Sequence, residues 1–353
     1  MEQTTPMLKQ YLEIKAKHPH TILFFRLGDF YEMFGEDARQ ASGILDVVLT
    51  SRDAGKSGRI PMCGIPYHAA ETYIAKLIKA GLKVALCEQL EDPALAKGIV
   101  KRDVIRIITA GTYIDEANFE SRQIISIAAV NNSFGIAFTD TASGIIQTNE
   151  YPSLTPIAEI IAKMNAYECI FAEQTQNAIK EIFQTPALRN KNIVLSPFDD
   201  WAFHADMCKK SLQEHFKTHS LRGFGIDELP AAIAASGALL EYLKQIHKQP
   251  LRGVHAISLY SDSAYAYISP AACFGLDLEL LLKSIDATRT SMGKRCLRNW
   301  IYHPLKNRSE IMNRQDAVTL LHDNPRINEE LRTILNNTPD IDKSISRISC
   351  NTA

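Results

Sequence analysis

Several things are missing from these 353 residues. No apolar run approaches the roughly 18 residues that a membrane helix needs. The seven cysteines (Cys63, Cys87, Cys169, Cys208, Cys273, Cys296 and Cys350) include no C-x-x-C pair. An odd, scattered set suggests reduced thiols in a cytoplasmic protein, most of them small core residues. The net charge is only -1, so the chain is no polycation, although a local basic face remains open. The N-terminus lacks the apolar segment of a signal peptide. Repeats, low-complexity tracts, a serine nucleophile elbow and a convincing Cys–His arrangement are all absent, and catalysis has no clear candidate.

What is present is a globular composition, 46% hydrophobic and 22% charged, in a chain long enough for two or three domains. The first stretch reads as mixed α/β. Thr5 and Pro6 suit the start of a helix, with Met7, Tyr11 and Ile14 at helical spacing. "TILFFRL" reads as a strand, "FYEMFGEDARQASGILD" as a helix and "VVLTSR" as a short strand before the loop "DAGKSGR". "IPMCGIPYH" is extended, "AAETYIAKLIKAG" is a helix closed by Gly81, and "KVALCEQL" and "KRDVIRIITAGT" are strands. The second stretch opens with two strand-like runs around Asn131-Asn132-Ser133, a hairpin signal, and "TASG" is the next turn. A helix containing Pro156 and the strands "ECIFAE" and "NIVLSP" follow, which suggests a ribonuclease-H-like sheet. From about Leu229 the chain becomes helical. "LPAAIAASGALLEYLKQIH" reads as amphipathic, Pro304 and Pro325 break later helices, and Ile341, Ile345 and Ile348 form a stripe that needs a partner. The expected domains are 1–115, 116–258 and 259–353.

Candidate chemistry is thin. Gly55-Lys56-Ser57 resembles the end of a P-loop, but position 50 is Thr50 where glycine is required, and Pro61 follows where a helix should start. A basic loop is the better reading, with Arg52, Lys56 and Arg59 as candidate phosphate-backbone contacts. His204 and Cys208, and His215 and His219, sit four apart but fit no standard zinc spacing. Asp140, Glu159 and Glu173 fall in the ribonuclease-H-like stretch. They make an Mg²⁺-dependent nuclease a remote alternative, and Asp140 reads as a turn residue.

The stretch "LGDFYEMFGED", Leu27 to Asp37, carries two readings. Asp29 and Glu32 have the spacing of a capping box. Phe30, Phe34, Ala38, Ala41 and Leu45 then share a helical face, which makes Phe30 core. Alternatively Phe34, Ala41, Ile44, Leu45 and Val48 already fill the interior, and Phe30 stands at an exposed rim.

"FFRLGDFYEMFGEDA", "IPMCGIPYHA", "VALCEQLEDP", "IRIITAGT", "FGIAFTDTASG", "LRGFGID", "SIDATRTSMGKRCLRNWIYHPL" and "DIDKSISRIS" together resemble, in order, the N-terminal part of the MutS family of bacterial mismatch-repair proteins. The resemblance implies a mismatch-recognition domain, a ribonuclease-H-like connector without nuclease activity, and the start of a helical core or lever. It implies that Phe30 enters the minor groove and stacks on a mispaired base, and that Glu32 hydrogen-bonds that base. It places Phe30 at an exposed edge, against the capped-helix reading. The partners it implies are double-stranded DNA carrying mismatches or small loops, a second subunit in the full-length protein, and a downstream factor of the MutL type. ATP and Mg²⁺ belong to an ATPase domain expected beyond position 353, so this chain is expected to be no enzyme, to need no cofactor, and to be truncated. A non-binding scaffold fragment is the alternative.

Overall fold

The apolar run after His20 forms a strand, and the residues beyond Gly28 turn back to pair with it. In the computed structural model, which describes residues 5–55, 58–91, 98–113, 122–140, 144–248, 253–261, 263–341 and 344, the chain falls into two units. The first is Met1–Asp115 with Leu243–Pro250; the second is Glu116–Tyr242 with Leu251–Ala353.

The first unit runs α1 (Pro6–Lys17), β1 (Ile22–Leu27), β2 (Phe30–Phe34), α2 (Gly35–Leu45), β3 (Thr50–Asp53), β4 (Arg59–Pro66), α3 (Ala70–Lys79), β5 (Val84–Gln89) and β6 (Arg102–Ile108). Its sheet has the order β3-β4-β2-β1-β5-β6. Among the described residues of this sheet only β1 and β5 pair in parallel. Pro6 starts α1 as expected, but the Thr5 side chain makes no capping bond and its hydroxyl is buried without a partner. Buried Asp37 ties three elements together. Its carboxylate accepts from Tyr11 Oη (3.0 Å) and Leu23 N (3.0 Å), and pairs with Lys15 (2.8 Å). Burial, together with that carboxylate, pushes the Tyr11 phenol well above its ordinary range. Helix α3 ends as its sequence suggests. Gly81 takes φ +79°, and the Leu82 and Gly81 amides close back on Leu77 O and Ile78 O (both 3.0 Å), a Schellman closure.

The second unit opens with β7 (Gln123–Val130), β8 (Ser133–Asp140) and β9 (Ile145–Tyr151). There follow α4 (Leu154–Lys163), β10 (Ala166–Ala172), α5 (Gln176–Phe183), β11 (Val194–Phe198), α6 (Ala205–Phe216), α7 (Pro230–His247, whose residues from Leu243 onward count with the first unit) and β12 (Ala256–Leu259). Asn131 and Asn132 take φ +48° and +65°, which makes the β7–β8 turn a two-residue type I′ hairpin. The antiparallel β7-β8-β9 meander is continued by β10 and β11, both parallel, in the order β11-β10-β7-β8-β9-β12. This is the ribonuclease-H-like arrangement that the sequence suggested. Helix α7 differs in part from expectation: every residue from Ala231 to Leu240 is buried, so that stretch is covered on all sides, and only the end of the helix, with Gln245 exposed and Leu243 and Ile246 buried, is two-faced. Helices α5 and α6 and strand β12 were not foreseen.

The helical remainder comprises α8 (Pro270–Gly275), α9 (Leu278–Ile285), α10 (Ser291–Tyr302), α11 (Arg308–Asp323) and α12 (Pro325–Asn336), of which α8 and α12 were not foreseen. Thr290 caps α10 and Asn307 caps α11 through their side chains. Arg295 holds Asp340 with two bonds, at 2.6 and 3.2 Å. Of the stripe proposed near the end, Ile341 is exposed, while Ile345 and Ile348 lie outside the described residues, as do the "TAS" of the expected turn, Lys56 and Cys350. The fold is thus two α/β sheets followed by helices.

Candidate nucleic-acid interface

Phe30–Phe34 is a strand and not the first turn of a helix. Leu27 pairs with Phe30, Arg26 with Tyr31 and Phe25 with Glu32, so Gly28 and Asp29 form a two-residue turn. Gly28 supplies a φ of +57° while Asp29 keeps a negative φ, the pattern of a type II′ hairpin. The expected Asp29–Glu32 capping box therefore does not exist. Asp29 instead lends its carbonyl to the Tyr67 amide (3.0 Å). The helix begins only at Gly35, whose φ of +61° separates it from the strand. Paired on both sides, by β1 and β4, the segment gains two ladders of hydrogen bonds that override the helical preference of Glu32 and Met33.

Strand geometry decides where the side chains go. Alternate residues face opposite sides, so Phe30, Glu32 and Phe34 share one face, and Tyr31 and Met33 the other. Phe34 is 2% exposed, edge-on to Tyr11 at 4.9 Å. Phe30, at the hairpin end of the strand, is 48% exposed. Val48, expected inside, is exposed as well. Glu32 is opposite Gly64 on β4, and a Cβ there would lie 3.6 Å from Glu32 Cγ and 3.9 Å from Phe30 Cδ1. A side chain at that position would therefore touch both residues, and glycine leaves them uncovered by one.

The candidate cations divide. Arg52 of β3 reaches across β4 and donates to Glu32 Oε2. Arg59 braces its own hairpin, bonding Ser51 Oγ at 2.8 Å and Ser51 O at 2.9 Å. Lys56 lies outside the described residues.

Beneath the hairpin is a cluster that reading the sequence did not single out. The Arg26 guanidinium is 3.5 Å from the Tyr67 ring centroid, 5.6 Å from that of Tyr31 and 3.8 Å from Glu88, and it donates to Gly28 O at 2.5 Å. Tyr31 Oη also donates to Glu88, and burial with that carboxylate raises the Tyr31 phenol well above its usual range. These contacts fix the turn from behind. The signal was available: Arg26 is the one charged residue in the apolar strand "ILFFRL".

Among the described residues no group of three or more His, Cys, Asp or Glu could hold a metal ion. Cys208 is buried against Ala202 O and Ala234 O, and His215 bonds Val254 O at 2.8 Å. Glu159 accepts from Tyr267 Oη at 2.9 Å, while Asp140 ends β8 and Glu173 follows β10. No helix of the described residues is long and apolar enough to cross a membrane.

The sheet carrying Phe30 and Glu32 lies within a match to MutS domain I over residues 5–117. MutS domain II matches residues 122–255, and MutS domain III matches residues 276–353. These are the domains of a mismatch-repair class of protein. The chain belongs to the MutS family. It is 39% identical to the DNA mismatch repair protein MutS of Lachnoclostridium phytofermentans, over 100% of this chain and 39% of that protein. It is 39% identical to that of Symbiobacterium thermophilum, over 99% of this chain and 42% of that protein. For Syntrophobacter fumaroxidans the identity is 37%, over 100% of this chain and 41% of that protein. The chain therefore spans about two fifths of the length of the curated relatives it matches.

Proposed function

We propose that this chain is a mismatch-sensing portion of a DNA mismatch-repair protein, with Phe30 as a minor-groove wedge and Glu32 as the group that reads the displaced base. The observation that carries this reading is the half-exposed Phe30 on the same strand face as Glu32, at the tip of a braced hairpin. Pushing an apolar ring between base steps costs a few kcal/mol of unstacking and bends the duplex. A mispaired step is already weakly stacked and easily deformed, so it costs less. Stacking on the ring returns ~1–3 kcal/mol for any base, which suits one protein to many mismatches. A carboxylate near phosphates is unfavourable unless a base edge donates to it, so Glu32 discriminates more than it binds. Affinity comes from cations on the backbone. The domain limits 1–115, 116–258 and 259–353 belong to the same reading. So do a second subunit, a MutL-type partner, and ATP with Mg²⁺ used by a further domain of a full-length protein.

The test is competition between mismatched and matched duplexes at fixed salt. Phe30→Ala abolishes the preference for the mismatch, and Glu32→Ala reduces it. A Phe30→Ala chain with wild-type preference defeats the reading.

A further inference from the structure

The three cations offered by the sequence have unequal freedom. Arg59 is engaged twice by Ser51, and Lys56 is not described. Arg52 donates to Glu32, and its side chain is 40% exposed against 16% for Glu32. The cation end of the pair meets water while the carboxylate end is largely covered, so Arg52 is the partner that can leave for another anion.

We infer that Arg52 is an exchange partner that sets specificity: it holds the Glu32 carboxylate until a base offers that carboxylate a hydrogen bond, and then moves to a phosphate oxygen. This rests on the Phe30–Glu32 reading above. A bare carboxylate on the wedge face would be repelled by every duplex that approached. Paired with Arg52, Glu32 approaches DNA nearly neutral. A guanidinium fork suits phosphate as well as carboxylate, so Arg52 exchanges one for the other at small cost. A well-stacked duplex does not admit Phe30, which keeps Glu32 short of the bases and the pair closed. At a mismatch the wedge enters, Glu32 turns to the base, and Arg52 is released. Gly64, opposite Glu32, presents no side chain to obstruct that turn. Mismatch engagement thereby neutralises one phosphate that matched binding leaves alone.

The salt dependence of binding counts such phosphates. Each contact contributes about 0.9 to the slope of log K against log salt. The 353-residue chain is titrated with mismatched and matched oligonucleotide duplexes of equal length, with folding of each variant checked by circular dichroism. Arg52→Gln lowers the slope on mismatched DNA by about 0.9; on matched DNA the bared Glu32 weakens binding, while the slope, which counts phosphate contacts that Arg52 does not make there, is unchanged. Arg52→Lys, which keeps a phosphate-binding charge, retains the wild-type slopes. Glu32→Gln frees Arg52 on any duplex and steepens the matched slope by about 0.9. Equal lowering of both slopes in Arg52→Gln makes Arg52 an ordinary backbone contact and overturns the exchange, as does no change in either. Wild-type mismatch preference in Phe30→Ala fails the underlying reading independently of any slope. A chain that holds no duplex at all sinks both.

Discussion

Two phenylalanines four residues apart on one strand face are expected to differ sharply when truncated. Phe34 is 2% exposed, its ring edge-on to Tyr11 at 4.9 Å, and its amide meets Tyr11 Oη at 3.3 Å. Phe34→Ala loses the transfer energy of the ring and leaves a cavity, about 3–5 kcal/mol in such cases. Phe30 keeps 48% of its surface in water. Full burial of a large apolar side chain is worth about 1.5–3 kcal/mol, so half of it puts Phe30→Ala near 1 kcal/mol. The assay must see the first unit alone. Both tryptophans, Trp201 and Trp300, are in the second, so their fluorescence would miss the event. Hydrogen exchange of the paired β1 and β5 amides reports it directly. At about 1.4 kcal/mol per tenfold, Phe34→Ala accelerates exchange by a hundredfold or more, and Phe30→Ala by about fivefold. Equal acceleration by the two substitutions would place Phe30 in the core and refute the assignment of a contact role.

In Gly237→Ala the new Cβ would lie 2.3 Å from Cys208 Cβ and 2.6 Å from its Cα. Helices α6 and α7 must separate, at a cost of about 1–3 kcal/mol or more, read as a lower urea midpoint in tryptophan fluorescence. Thiol labelling should be ordered by burial. Among the described cysteines Cys296 is exposed and reacts first, whereas Cys63, Cys87 and Cys208 are buried, with thiols pushed up to about 11, 12 and 12. Mass spectrometry after alkylation should find them modified only in denaturant. Acid weakens the first unit through His247, which burial, reinforced by Arg106, holds at about 4 against an ordinary 6.5. The folded state keeps this imidazole neutral while the unfolded chain takes up a proton. Its contribution is therefore whole above about pH 6.5 and lost as pH falls toward 4. His247→Gln should flatten that stretch of a stability–pH profile measured by exchange.

Much of the fold was legible because local signals and tertiary pairing agree. Asn131-Asn132 demanded positive φ, and both take it; Gly81 closed α3; Pro6 started α1. The failures have physical causes. Helix α7 looked amphipathic because its few polar residues punctuate an apolar run, yet it is buried on every side between Ala231 and Leu240, including Ser236. Helix α6 buries only Cys208 and Leu212, too few to mark a stripe, and α5 is only eight residues long. Lone sequence windows carry no information about the partner that completes a buried face.

The misreading of Phe30–Phe34 as helix is more instructive, since the pattern contained its own correction. Gly35 interrupts it at the point where the backbone needs a φ of +61°. A functional argument bears on it too. In a helix, residues two apart are separated by about 200° around the axis and face nearly opposite ways. A helix could therefore not bring both Phe30 and Glu32 to one base. A strand brings side chains two apart to the same face by construction, and it sets Gly64 opposite the second of them. Any role that demands both residues at one target therefore demanded a strand, and the capped-helix reading and the shared-site reading could never both have held.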